Sequence, residues 1–241
     1  MFVIAHRGAS ADYPELTATA FTEAFLQGAD GVECDVRLTR CGELVCIHDP
    51  IVDRVSDGRG RVSTHTVEQL REYNFGTEEA PSAPCTLDEL LDIMDDHPDK
   101  HLFIESKHPM RYGRMLEEEL VKTLRYRGLL ADPHIHVISF SGSAIHRIQQ
   151  LAPALDRIYL RNDPNAWYHR IRELTIQPTA VGLSMRTARE HIRDHTLPPS
   201  SYVWTVDDPE DMTLCRDSGV QWLATNLPAL AREVVDRGTG H

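Results

Sequence analysis

Charged and titratable side chains stand where strand-like runs end. His6 and Arg7 close the run FVIAH, and Glu33 and Asp35 sit two apart in GVECDV. His48 follows LVCI, and Glu105 and Lys107 sit two apart in LFIESK. Residues two apart on a strand share a face, and charge inside an apolar strand is costly unless it is paired or bound to a metal. Three carboxylates, Glu33, Asp35 and Glu105, form a hard oxygen set too small for a closed cage. Such a set suits one divalent cation, Mg²⁺ or Ca²⁺, with positions left for water and substrate oxygens; zinc would recruit histidine or cysteine. Arg7 and Lys107 add the fixed positive charge that a phosphate-like group requires. His6 and His48 can take and give protons near neutrality. Together these groups describe metal-assisted phosphoryl transfer. Each piece alone has an ordinary reading, as a solvent-facing E-x-D, a surface E-x-K pair or a structural histidine. Their coincidence at several strand ends does not. The other histidines and all five cysteines are read as bystanders.

The elements that must position this set alternate in type. Strand-like runs occur at FVIAH, GVECDV, HLFIES, HVISF, DRIYL, AVGLSM, SYVWTV and VQWLATN. Between most of them the apolar spacing is helical, as in TATAFTEAFLQG, TLDELLDIMDD, GRMLEEELVKTLRYRG, SAIHRIQQLA and PEDMTLCRDSG. Gly28, Gly128 and Gly219 follow three of these as helix stops. Repeated strand–helix units imply a parallel sheet. Eight strands with a closing helix, PALAREVV, predict an α/β (β/α)8, or TIM, barrel as one domain over residues 1–241; an open doubly wound sheet is the alternative. Residues of about 50–86 read as a small insertion after the second strand and its hairpin, a candidate substrate cover on the catalytic face.

Composition narrows the partners. The 241-residue chain is 41% hydrophobic and 26% charged, with a net charge of −12, which argues against nucleic acid or an anionic membrane surface. Its apolar runs fall far short of the ~20 residues of a membrane span. The start shows no basic segment followed by a long apolar one, so a cytoplasmic protein is expected. Five cysteines without CxxC spacing read as free thiols.

The ordered set HRGAS, PELT, GADGVECDVRLT, LVCIHDP, DRVSDGRGRV, TLDELL, LFIESK, VISFS, VWTVDDPEDM and GVQWLATNLP resembles the glycerophosphodiester phosphodiesterases from residue 4 to about 228. The resemblance implies a (β/α)8 barrel that hydrolyses a small-molecule glycerophosphodiester to an alcohol and glycerol 3-phosphate. It places Glu33, Asp35 and Glu105 on the family's divalent-metal ligands and His6 and His48 on its acid/base pair. Arg7 and Lys107 fall on its phosphate-side cations, Glu15 on an acidic residue of the same mouth, and Trp204 on an aromatic closing the glycerol side. Two departures stand out: PELT replaces the family's PENT at Leu16, and Ser106, expected to point away from the barrel axis, replaces an aliphatic residue. A related barrel acting on lysophospholipids and a silent glycerophosphodiester-binding protein are the alternatives. The polar insertion weighs against the first, the intact site residues against the second.

Overall fold

The computed structural model describes residues 1–162 and 166–238. His241 and the side chain of His169 lie outside the described residues. The strands are β1 (Phe2–His6), β2 (Gly31–Leu38), β3 (Leu44–Cys46), β4 (His101–Ser106), β5 (Ile135–Ser139), β6 (Asp156–Arg161), β7 (Ala180–Ser184), β8 (Ser201–Trp204) and β9 (Trp222–Thr225). All but β3 pair in parallel, and β1 pairs with both β2 and β9, so eight strands close a barrel. β3 pairs antiparallel on β2 as a hairpin that leads into the insertion of about 50–86, the mouth segment. The (β/α)8 expectation holds, and every anticipated strand is present.

The helices are α1 (Ala18–Leu26), α2 (Val67–Leu70), α3 (Leu87–Asp95), α4 (Met115–Tyr126), α5 (Gly142–Leu151), α6 (Ala166–Ile176), α7 (Met185–Arg193), α8 (Pro209–Asp217) and α9 (Pro228–Arg237). Thr17 caps α1 by accepting from the Ala20 amide, and Thr86 forms a reciprocal capping box with Glu89 on α3. Gly28, Gly128 and Gly219 take positive φ directly after α1, α4 and α8, as expected of helix stops. α6 and α7 were not foreseen. MRTAREHIR offers only Met185, Thr187 and Ala188 as a buried face, so its helical stripe is thin.

Strand alternation sorts two cores. Val32, Cys34, Val36, Leu102 and Ile104 point outward and pack under α1, α3 and α4. Ile4, Phe103, Ile138, Ile158, Tyr202 and Trp222 point inward and fill the barrel. The mouth segment carries its own apolar cluster, built on Val45, Ile47, Val52, Val62, Leu70 and Phe75. In the same segment α2 spans only Val67–Leu70; beyond it the chain turns so that Phe75 joins that cluster and the Tyr73 hydroxyl reaches His65 Nε2 at 3.3 Å.

Candidate active site

The same alternation that buries Ile4 and Phe103 in the barrel interior aims His6, Glu33, Asp35 and Glu105 at its mouth. Register makes them neighbours: His6 pairs with Glu33 across β1–β2, and Asp35 with Glu105 across β2–β4. Ligand oxygens of Glu33, Asp35 and Glu105 lie within 4.8 Å of one another, and all three residues are buried. Arg7 Nε stands 3.2 Å from Asp35 Oδ2; Lys107 Nζ stands 2.8 Å from Asp35 Oδ1 and 2.7 Å from Glu105 Oε1. Both Asp35 oxygens are sealed from solvent and, despite these ion pairs, neither contact is aligned as a hydrogen bond. A buried carboxylate with uncommitted lone pairs beside two others is a donor set that fits a hard divalent cation.

The electrostatics agree. Burial and the neighbouring Asp35 and Glu105 carboxylates push Glu33 well up. Burial and Asp35 push Glu105 up to about 7. Burial opposes ionisation of Asp35 too, but the Lys107 and Arg7 charges outweigh it and hold this carboxyl low. Protons thus stand in on Glu33 and Glu105 for positive charge that the cluster would otherwise draw from a cation.

Each histidine is oriented by a partner. Asn226 Nδ2 donates to Asp207 Oδ2 at 2.6 Å, and Asp207 Oδ1 also accepts from the Asn226 amide at 2.8 Å. That fixes the side-chain amide with its oxygen toward His6, whose Nδ1 must therefore donate across 2.9 Å. His6 Nε2 is left as an acceptor, 4.0 Å from Glu33 Oε2. Burial and the Arg7 charge lower the His6 pKa, so the ring is neutral near pH 7. Past β3 the hairpin contact continues, with the Ile47 amide donating to the Asp35 carbonyl at 2.9 Å. Arg37 donates to the His48 carbonyl through Nε and Nη2 at 2.9 and 2.6 Å. His48 Nδ1 lies 2.8 Å from Asp49 Oδ1; burial lowers the His48 pKa while that carboxylate opposes the shift.

Glu15 lines the same mouth. One of its oxygens accepts from Arg7 Nη1 at 3.2 Å and Arg54 Nη2 at 2.7 Å, and Arg54 Nε reaches Asp49 at 2.6 Å. Trp204 caps the barrel's interior core, edge-on to Phe140 with centroids 5.4 Å apart. Ser106 points away from the axis as expected, donating to Glu117 of α4 at 2.9 Å. Leu16 packs in the outer core instead of facing the mouth, with φ of 60°, a conformation in which asparagine is far easier than leucine. The turn after His6 is made by Arg7 (φ 60°) as well as Gly8 (φ 79°); a Cβ at Gly8 would come within 2.6 Å of the Ala20 backbone.

Sequence reasoning missed Asn226, Asp207, Asp49 and Arg54. The signal for the first two was a polar residue just past each of the last two barrel strands. For Asp49 it was adjacency to His48, and for Arg54 nothing local marked it.

A closed parallel barrel with a carboxylate cluster, two cations and two oriented histidines at the carboxyl ends of its strands is the frame of a barrel hydrolase. The family model of the glycerophosphoryl diester phosphodiesterase family matches residues 6–230. A probable glycerophosphodiester phosphodiesterase 1 of Mycobacterium tuberculosis is 39% identical over 98% of this chain and 93% of its own. A glycerophosphodiester phosphodiesterase of Caldanaerobacter subterraneus is 30% identical over 98% of both. In fold, the chain is similar to a phosphodiesterase of Oleispira antarctica solved with the product sn-glycerol-3-phosphate, with a TM-score of 0.83, 23% identity and coverage of 98% of this chain and 97% of that one. The chain therefore belongs to the glycerophosphoryl diester phosphodiesterase family, and it is a phosphoric diester hydrolase.

Proposed function

We propose that the protein cleaves glycerophosphodiesters to an alcohol and sn-glycerol 3-phosphate as a single domain over residues 1–241, with His6 and His48 moving the protons and residues 50–86 covering the substrate. The observation that carries this reading is the buried trio Glu33, Asp35 and Glu105, ringed by Arg7 and Lys107, between two histidines with fixed orientation. Glu33, Asp35 and Glu105 would hold one divalent cation, Mg²⁺ or Ca²⁺. When bound, it would supply Lewis-acid polarisation of the phosphoryl oxygens.

The chain's own groups do the rest. Arg7 and Lys107 neutralise the phosphodiester and hold it beside the histidines. His6 is neutral with Nε2 free, and so accepts the proton of the attacking oxygen. His48, held by Asp49, donates a proton to the departing alkoxide in its protonated form, which Asp35 and Asp49 favour against the burial that lowers its pKa. One P–O bond forms, one breaks, and the proton count balances. Trp204 borders the glycerol side, and Glu15 fixes Arg7. The attacking oxygen is water or the neighbouring glycerol hydroxyl; trapping a cyclic glycerophosphate under single-turnover conditions identifies the second. The free thiols of all five cysteines agree with a reducing, cytoplasmic setting, and among the described residues no helix is long and apolar enough to cross a membrane.

The test is a coupled assay for glycerol 3-phosphate across several glycerophosphodiesters with Mg²⁺, Ca²⁺ or Zn²⁺ added after EDTA. Release restored by Mg²⁺ or Ca²⁺ and lost in H6A and H48A supports the reading. Restoration by Zn²⁺ alone, or near-normal turnover in either variant, overturns the corresponding assignment.

A further inference from the structure

Three chain segments leave the site and, two residues beyond one of its side chains, each contributes a wall to one cavity. Arg37 follows Asp35, Pro50 follows His48, and Pro109 follows Lys107. The cavity holds about 400 Å³, and Arg61, Ser63 and Arg111 complete its polar lining. Its opposite sides are tied together, because the Tyr112 hydroxyl of the β4–α4 loop donates to the Ser63 carbonyl of the mouth segment at 2.7 Å. The tie brings Arg61 from one side and Arg111 from the other to the same space.

The lining holds three guanidiniums and no carboxylate, although Asp35, Asp49 and Glu105 lie near enough to act on Arg37. Arg37 is 8% exposed and spends Nε and Nη2 on the His48 carbonyl, leaving Nη1 without a hydrogen bond among the described residues. Arg61 and Arg111 are exposed and have no acidic partner among the described residues; the Arg111 guanidinium lies 5.7 Å from the Tyr112 ring centroid. In a chain of net charge −12, most arginines elsewhere are paired, so Arg61 and Arg111, with Arg37 behind them in a lining that holds no carboxylate, form a site for an anion.

Resting on the phosphodiesterase reading, we propose that this cavity takes the leaving-alcohol part of the substrate and selects glycerophosphodiesters whose headgroup carries its own phosphate or phosphodiester. Arg37, which lines the cavity, donates to the His48 carbonyl, so the cavity borders the His48 segment, where the alcohol departs, and guanidinium groups match phosphate oxygens in pairs. A cationic headgroup such as choline meets like charge there.

The experiment compares initial kcat/KM for bis(glycerophospho)glycerol, glycerophosphoglycerol and glycerophosphocholine in wild type, R61A, R111A and the double variant. Both arginines are exposed, so folding is not at stake, and a thermal melt confirms it. The expected result is a preference of about 10-fold or more for the doubly anionic diester over glycerophosphocholine at low ionic strength. That preference should weaken with salt and collapse toward unity in the double variant, with R111K keeping part of it. Equal kcat/KM across the three diesters, in wild type and variants alike, overturns the headgroup assignment while leaving the phosphodiesterase reading intact. Inhibition by inorganic phosphate that R61A relieves, without any preference among diesters, also overturns it by assigning the cavity to a free anion. Absence of glycerol 3-phosphate from every diester overturns the parent reading and this one with it.

Discussion

Arg7 and Arg54 grip the same carboxylate oxygen of Glu15, at 3.2 and 2.7 Å, one from the end of β1 and the other from the mouth segment. Burial works against the Glu15 charge, yet Arg54 and Arg7 together hold its pKa low, so the bridge is ionised at neutral pH. Through it, the segment over the barrel is coupled to the cation beside Asp35.

Cutting that coupling should cost turnover and not stability. Arg54 is 50% exposed, and exposed ion pairs contribute only ~0–1 kcal/mol. R54A is expected to lower kcat/KM about 10-fold, since misplacing a positioning cation is expensive, while its melting temperature stays near that of the wild type. Unchanged kinetics would mean that the mouth segment does not order the site.

The Asn226–His6 hydrogen bond sets both tautomer and basicity. N226A should lose about 10-fold or more in kcat/KM, part of the ~10²–10⁴-fold that a positioned acid/base supplies. In the wild type at saturating divalent cation, the acid limb of the kcat/KM profile should fall below pH 6.5, because burial and Arg7 lower the His6 pKa and activity then disappears as that base is protonated. N226D places a carboxylate on Nδ1, which favours the imidazolium, and should move the acid limb to higher pH. A limb that stays put in N226D would remove His6 from the base role.

Cation binding should be written in protons. With Glu105 pushed up to about 7 and Glu33 well above its usual range, loading a divalent cation near pH 7 must expel protons. Calorimetry in two buffers of different ionisation enthalpy should show proton release, and affinity should climb as pH rises through 7. E105Q should bind more weakly and release fewer protons. A heat that does not depend on buffer contradicts the assignment of Glu105 as a ligand.

At the opposite end of the barrel, His101 Nδ1 faces His136 Nε2 at 2.9 Å, and His136 in turn holds Asp156. Burial, then the nearby His136 and His134, push His101 down to about 4. The unfolded chain takes up this proton near 6.5 and the folded chain only near 4, so stability is complete above about 6.5 and is lost as pH falls toward 4. Urea midpoints should decline over that window, and H101N should flatten part of the decline. Asp156, whose pKa is lowered, acts only at more acid pH.

Much of this was legible in the chain itself. Period-two placement of Glu33 and Asp35, and of Glu105 and Lys107, announced which side chains share the barrel mouth, because strand geometry admits one answer. Register was not legible: nothing local says that Asp35 lies opposite Glu105, which depends on how β2 and β4 pair. Asn226 and Arg54 escaped for the same reason, since their partners lie far away in sequence. The thin stripe of α7 hid a helix that tertiary packing supplies. At Leu16 a left-handed backbone carries a branched side chain, and propensity alone would never place it there.

The reach of Asn226 to His6 spans 220 residues, from the loop after the last barrel strand to the end of the first. During synthesis, the proposed base would emerge 220 residues ahead of its orienting amide and wait for it until the final strand had closed the ring. A nascent chain lacking β9 would hold the carboxylates and both histidines yet leave His6 free to rotate. Onset of hydrolysis would then time barrel closure, making catalysis a built-in reporter of the last folding step.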